Sequence, residues 1–339
     1  MRPHCQELLK VMPLTDRQTV VPAAEAVIEL LRCPECENAL ARQPGEYRCS
    51  CGRAYPVRDG VACFVDPRNY AESFGFQWRR YARTQLDEGE VRESELHFRR
   101  TTGFRPEDLS GKLVLDVGCG MGRFAEVATR WGARVIGVDL SAAAQVAAQN
   151  LSERDFVALQ ADVFHLPFAP ESFDLIYSIG VLHHTPDCEL ALRTLPRYLK
   201  PGGTIAVWLY SGYNRWYRFS DIYRKVTSRM PPQLLHSTLR MAVPFLYQSD
   251  RILRRVPIVG APAAGLIHHA FPVSRSARAE ARILDTFDWY SPKYQSKHTY
   301  EQIFAWLAGC GLEDFGVAQI PIGARARKPG RSSGTGLKA

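Results

Sequence analysis

A chain of 339 residues with 46% hydrophobic side chains can bury a core domain of about 200–230 residues plus a smaller unit, which excludes a wholly disordered protein. The net charge of +8 is local: residues 211–260 carry nine Arg or Lys against two Asp. No uncharged apolar run reaches 18 residues, and His4, Glu7, Lys10 and Asp16 break any signal-peptide pattern, so a cytoplasmic protein without a transmembrane segment is expected.

Residues 1–32 read as a lead-in and a short helix from Ala23 to Leu31, with Pro22 suited to its first turn. Residues 33–66 hold Cys33-x-x-Cys36 and, after a hairpin-length spacer, Cys49-x-Cys51. Two cysteine turns so placed can grip one tetrahedral ion, and nine cysteines with one tight cluster argue for a metal rather than a disulfide framework. Four thiolates leave no open position for a reactive water, so a structural zinc is expected. Residues 67–108 read as linker or lid helices, with Phe74, Trp78 and Tyr81 at helical spacing.

Residues 109–210 read as a Rossmann-like core. An apolar strand ends in Gly118-x-Gly120-x-Gly122 and resumes as a helix, a turn in which glycine lets a ligand approach bare backbone. A second strand ends at Asp139, spaced to accept hydrogen bonds from a ribose diol, and a third at Asp162. A fourth runs from Phe173 to Ser178 and leads to His183-His184; a fifth follows Lys200-Pro201-Gly202-Gly203. Residues 211–285 read as an aromatic and basic helical cap cut by prolines into short helices, with Tyr213, Trp216 and Tyr217 at its start next to Tyr210, the last residue of the core. Residues 286–323 supply the last helix, capped by Thr299, and closing strands from Leu312 to Ile322; residues 324–339 read as a disordered basic tail.

The set Val114–Gly122, Asp139, Ala161-Asp162, Phe173-Asp174, His183-His184 and Lys200–Gly203 resembles class I S-adenosylmethionine-dependent methyltransferases of the small-molecule-modifying type, strongly over 110–210 and loosely over 280–325. The resemblance implies an α/β fold: a Rossmann-like sheet with helices on both faces, an N-terminal zinc ribbon and a helical cap inserted after the fifth strand. It implies S-adenosyl-L-methionine as cofactor, with Asp116 beside the methionine end, Asp139 on the ribose hydroxyls and Asp162 near the adenine amine. Gly118, Cys119, Gly120, Gly122, Leu140, Val163 and Ser178 complete the cofactor set. Residues 33–65 resemble the zinc ribbon ahead of some bacterial methyltransferases, including some that modify ribosomal RNA, although the second pair there is more usually Cys-x-x-Cys.

A sulfonium methyl is already activated, so such an enzyme chiefly aligns a nucleophile and excludes water. His184, or else His183, is the expected base at the end of the fourth strand, and His298 and Tyr290 are the expected acceptor contacts. Aromatic, aliphatic and arginine side chains in the cap suit a small acceptor with an apolar body and an anionic group. If the cap's amphipathic pieces face outward, they suit an anionic membrane surface. A ribosomal or transfer RNA acceptor is the alternative, although residues 178–181 lack the Asn-Pro-Pro-Tyr-type sequence of base-nitrogen methylating enzymes. A non-catalytic protein-binding scaffold is the third reading.

Overall fold

The computed structural model describes residues 22–66, 69–87, 90, 92–213 and 218–331. The lead-in 1–21, Trp216 and Tyr217 of the aromatic cluster and residues 332–339 of the tail lie outside this set. Helix α1 (Ala23–Leu30) leads into a meander of β1 (Leu40–Gln43), β2 (Glu46–Cys49), β3 (Ala54–Arg58) and β4 (Val61–Cys63). Helices α2 (Glu72–Arg80), α3 (Glu93–Thr102) and the single turn α4 (Pro106–Leu109) then precede β5 (Leu113–Val117). The core continues as α5 (Arg123–Arg130), β6 (Arg134–Asp139), α6 (Ala143–Asn150), β7 (Phe156–Gln160), β8 (Phe173–Ile179), α7 (Cys188–Thr194) and β9 (Leu199–Trp208). The cap consists of α8 (Arg218–Thr227), α9 (Pro232–Leu253), α10 (Gly260–Ala270) and α11 (Ala279–Tyr290), and the chain closes with α12 (Tyr300–Gly309), β10 (Glu313–Val317) and β11 (Gly323–Arg327).

Every residue of β5 is buried, as expected of a central strand covered on both faces. Strands β7, β6, β5, β8 and β9 run parallel in that order, and β11 and β10 complete the far side antiparallel. This is a Rossmann-like mixed sheet with flanking helices, and its strand ends at β5, β6 and β7 open the cleft where such sheets bind ligands.

The sheet does not stop at β7. Strand β4 pairs with it in parallel, Ala62 opposite Leu159 and Cys63 opposite Gln160, so the cysteine-bearing meander extends the core sheet to eleven strands. Val27, Leu31, Tyr47, Tyr55 and Ala62 share one apolar cluster with Leu159 and Phe168. The meander therefore draws burial from the core as well as from any ion it holds.

Two expectations change. Pro244 does not cut the cap segment, because α9 runs through it for 22 residues. The ring is exposed, while Leu235 and Val243 on the inner face are buried, so tertiary packing offsets the missing N–H bond. The closing hairpin also extends past Ile322: β11 pairs residue by residue with β9, from Gly323 opposite Trp208 to Arg327 opposite Thr204. Four residues assigned to the tail are thus a strand, whose alternating pattern of Gly323, Ala324 and Ala326 buried was hidden by its arginines.

Candidate functional site

The glycine turn follows from steric exclusion. Gly118 has φ 79°, and a Cβ there would lie 2.3 Å from Val181 Cγ1, so no side chain fits. Gly120 has φ 54°, and a Cβ there would approach the Trp78 indole nitrogen to 3.2 Å. Helix α2 thus lies over the turn and leaves a backbone-lined cradle. Asp139 holds it from the next strand: its Oδ2 accepts from Gly120 N–H at 3.0 Å, and its Oδ1 from Ser141 N–H at 2.8 Å and Ser141 Oγ–H at 2.7 Å. Burial raises the Asp139 carboxyl above its ordinary range, and these donors oppose the shift.

Of the expected cofactor residues, Gly118, Cys119, Gly120, Asp139, Leu140 and Val163 line the cleft, which encloses about 1240 Å³ of empty space with its open mouth included. Asp116, Gly122, Asp162 and Ser178 do not. Gly122 is the N-cap of α5, and the Asp162 carboxylate accepts from Phe164 N–H at 3.1 Å to start a short turn. Ser178 is fully buried and donates to the Val117 carbonyl at 2.9 Å, tying β8 to β5.

Asp116 lies beneath the turn, 3% exposed, and its Oδ2 accepts from the Tyr177 hydroxyl at 3.0 Å. Burial pushes its pKa up to about 8. The folded protein then holds a proton that the unfolded chain, with a carboxyl near 3.9, has released. Between those values the native state binds more protons, so this group's contribution to stability falls as pH rises toward 8. Asp116→Asn is expected to flatten that dependence and to raise stability at pH 8 by roughly 1–3 kcal/mol; unchanged urea midpoints at pH 5 and pH 8 would contradict it.

At its other end the cleft meets β8, β9 and α11. His184, 5% exposed, lies 3.0 Å through Nδ1 from the Tyr294 carbonyl, which fixes the proton on Nδ1 and leaves Nε2 as an acceptor with no protein partner. Burial holds this imidazole down to about 4, so it is neutral at ordinary pH. His183 is turned away: it stacks on Tyr210 with centroids 3.8 Å apart and does not line the cleft. His298 donates or accepts at Ser296 Oγ (2.7 Å) and packs on Trp306, while the Tyr290 hydroxyl donates to the Pro272 carbonyl at 3.2 Å; neither lines the cleft.

The polar segment at the cap exit contains Asp285 and Asp288 beside Tyr290 and His298, but sequence reasoning gave the acceptor role to the last two and none to Asp288. It lines the cleft, its Oδ2 accepts from the Tyr210 hydroxyl at 3.2 Å and its Oδ1 from Gln77 Nε2 at 3.5 Å. Burial raises its pKa to about 6. Leu284, Asp285 and Asp288 present one side of α11 to the cleft, and their i, i+1, i+4 spacing on a helix is the signal that could have favoured the two aspartates over Tyr290 and His298. Arg123 faces the same end, with Nε donating to Ser94 Oγ at 2.9 Å.

Away from the cleft, the ligand sulfurs of Cys33, Cys36, Cys49 and Cys51 all lie within 4.8 Å of one another. Cys33 and Cys51 Sγ are 3.8 Å apart and Cys36 and Cys49 Sγ 3.4 Å. A tetrahedron with metal–sulfur bonds of about 2.3 Å requires sulfur separations of about 3.8 Å, so the set fits a four-thiolate ion despite the short second pair. The Tyr55 hydroxyl, 3.1 Å from Cys33 Sγ, supplies an outer hydrogen-bonding group.

A methyltransferase-domain family matches residues 115–207, the stretch from β5 to β9 that forms the turn and the cleft. Methyltransferase GfsG of Streptomyces halstedii is 40% identical over 105 residues, covering 29% of this chain and 37% of that protein. Demethylmenaquinone methyltransferase of Thermobifida fusca is 34% identical over 146 residues, 42% of this chain and 61% of that protein. A human protein named "Probable tRNA methyltransferase 9B" is 34% identical over 128 residues, 36% of this chain and 27% of that protein. The chain thus spans less than two thirds of the length of each. Strand order, glycine turn and family match together define a class I S-adenosylmethionine-dependent methyltransferase fold, joined to a four-cysteine cluster able to bind a metal.

Proposed function

We propose that this chain catalyses S-adenosylmethionine-dependent methyl transfer to a small molecule whose apolar body carries a protic nucleophile. The cofactor supplies an electrophilic methyl group on a sulfonium. The backbone of Gly118–Gly120, with Asp139, Leu140 and Val163, would hold it, and Trp78 would exclude water from above the turn. The reading rests on Asp288: a carboxylate with a pKa near 6, oriented by Tyr210 and Gln77 in the cleft that contains the glycine turn. Such a group takes a proton from a phenol, quinol or ammonium-type acceptor near neutral pH. His184 Nε2 offers a second acceptor that stays neutral throughout that range.

The charge at this end argues against an anionic head beside the reacting atom. Asp285 and Asp288 face the cleft with Arg123, and no described basic residue of the cap lines it. The name of the demethylmenaquinone relative is in keeping with an apolar acceptor. In the cysteine cluster, zinc would act structurally. A transfer RNA acceptor is the second reading, supported by the name of the human relative and by the cap's exposed arginines.

Turnover of the cofactor should be measured against phenolic and quinol acceptors across pH, with transfer RNA as competitor. The rate is expected to rise as pH rises through about 6, where Asp288 ionises. Asp288→Asn is expected to remove that limb and slow turnover roughly 10²–10⁴-fold. A variant with the wild-type rate and profile would remove Asp288 from the chemistry, and strongly salt-dependent inhibition by RNA would favour the second reading.

A further inference from the structure

The cap carries apolar surface that serves neither the core nor the cleft. Eleven of the seventeen large hydrophobic side chains exposed among the described residues fall between Ile222 and Phe271. On α9, Leu234, Met241, Phe245 and Ile252 are 54–82% exposed and recur at spacings of seven, four and seven, one stripe of a helix. The stripe runs into the turn between α9 and α10, where Val256, Ile258 and Val259 are also exposed. Ile258 is 94% exposed at φ 67°, a conformation that β-branched residues avoid. Neither burial nor backbone preference asks for isoleucine there. None of these side chains lines the cleft.

Charge surrounds this turn. Residues 251–278 contain five arginines and no acidic residue. Asp250, the carboxylate that immediately precedes this stretch in the chain, is already engaged by Arg254 at 2.9 Å and Arg275 at 3.4 Å. Arg251 and Arg255 are exposed and have no carboxylate partner among the described residues. No described helix is long and apolar enough to cross a membrane. An outward apolar stripe ending in a hydrophobic turn, flanked by unneutralised arginines, has the chemistry of a segment that lies in the interface of an anionic bilayer.

We propose that the α9 stripe and the α9–α10 turn dock this protein on a lipid bilayer bearing anionic headgroups, with Ile258 and Val259 entering the acyl boundary and Arg251 and Arg255 meeting the headgroups. The surface commits to a bilayer because its apolar groups project at a turn within a stretch, 251–278, that carries arginines and no carboxylate.

The test is co-sedimentation of the full chain with vesicles of phosphatidylcholine alone and of phosphatidylcholine mixed with phosphatidylglycerol. The wild type is expected to partition onto the mixed vesicles and to be released by salt. Ile258→Asp/Val259→Asp is expected to lower the partition coefficient at least roughly tenfold, and Arg251→Gln/Arg255→Gln by about fivefold per arginine, on the mixed vesicles only. All these residues are exposed, so circular dichroism and cofactor binding should match wild type. Absence of wild-type partitioning, or equal binding by the aspartate variant, overturns the proposal. A lipid-free dimer that the aspartate variant converts to monomer also overturns it and assigns the face to self-association.

Discussion

Gly118→Ala is expected to cost about 2–5 kcal/mol of folding stability and to abolish measurable binding of S-adenosylhomocysteine. The backbone contributes about 1–2 kcal/mol, because an L side chain at left-handed φ crowds its own carbonyl. The remainder is overpacking, typically about 1–3 kcal/mol, because the new methyl falls among the Val181 side-chain carbons at 2.3–2.8 Å. Gly132→Ala separates the two effects. Its φ of 83° is nearly that of Gly118, but its Cβ would meet Ser110 Oγ at an ordinary 3.4 Å, so only the backbone cost of about 1–2 kcal/mol is expected. Urea unfolding of both variants, with calorimetry for the ligand, makes the comparison. Equal losses would show that contact with Val181 does not shape the turn.

Chelation, or Cys36→Ser, is expected to unfold the meander locally and to weaken cofactor binding by roughly five- to tenfold, the size of a modest coupling between two sites. The route is structural. Beyond β4, Phe64 N–H donates to the Gln160 carbonyl at 2.8 Å, and Asn69 Nδ2 donates to the Leu140 carbonyl at 3.0 Å. Those carbonyls belong to the strand ends that carry Asp139, Leu140 and Val163. Hydrogen exchange should rise over residues 31–66 and, to a lesser degree, over 156–164. Loss of protection in the first segment with unchanged ligand affinity would make the meander thermodynamically separate from the cleft. One retained zinc and native exchange in Cys36→Ser would reject the four-thiolate assignment.

The parts legible in the sequence were those written locally. Strand, glycine turn and helix from Leu113 to Arg130 are adjacent in the chain, and Asp139 ends the next strand. The cysteines announced themselves by spacing alone. What escaped depended on distant partners. Nothing near Ala62 says that it will lie beside Leu159, and nothing near Pro244 says that the buried Leu235 and Val243 will keep the helix intact. His298 and Tyr290 sit in a segment of the right polarity, but Ser296 and the Pro272 carbonyl engage them first. Asp288, a few residues earlier, reaches the cleft because α11 turns that face inward.

The parallel pairing of β4 with β7 also sets an order of events during synthesis. Residues 33–63 leave the ribosome nearly a hundred residues before their neighbour at 156–160, so the sulfur ligands are complete while the last strand of their unit still has a bare flank. That flank is an open template for pairing with a foreign chain until the nascent core arrives to cover it. Withholding from translating cells an ion that these four thiolates take should therefore harm this protein more than chelating that ion from the folded chain.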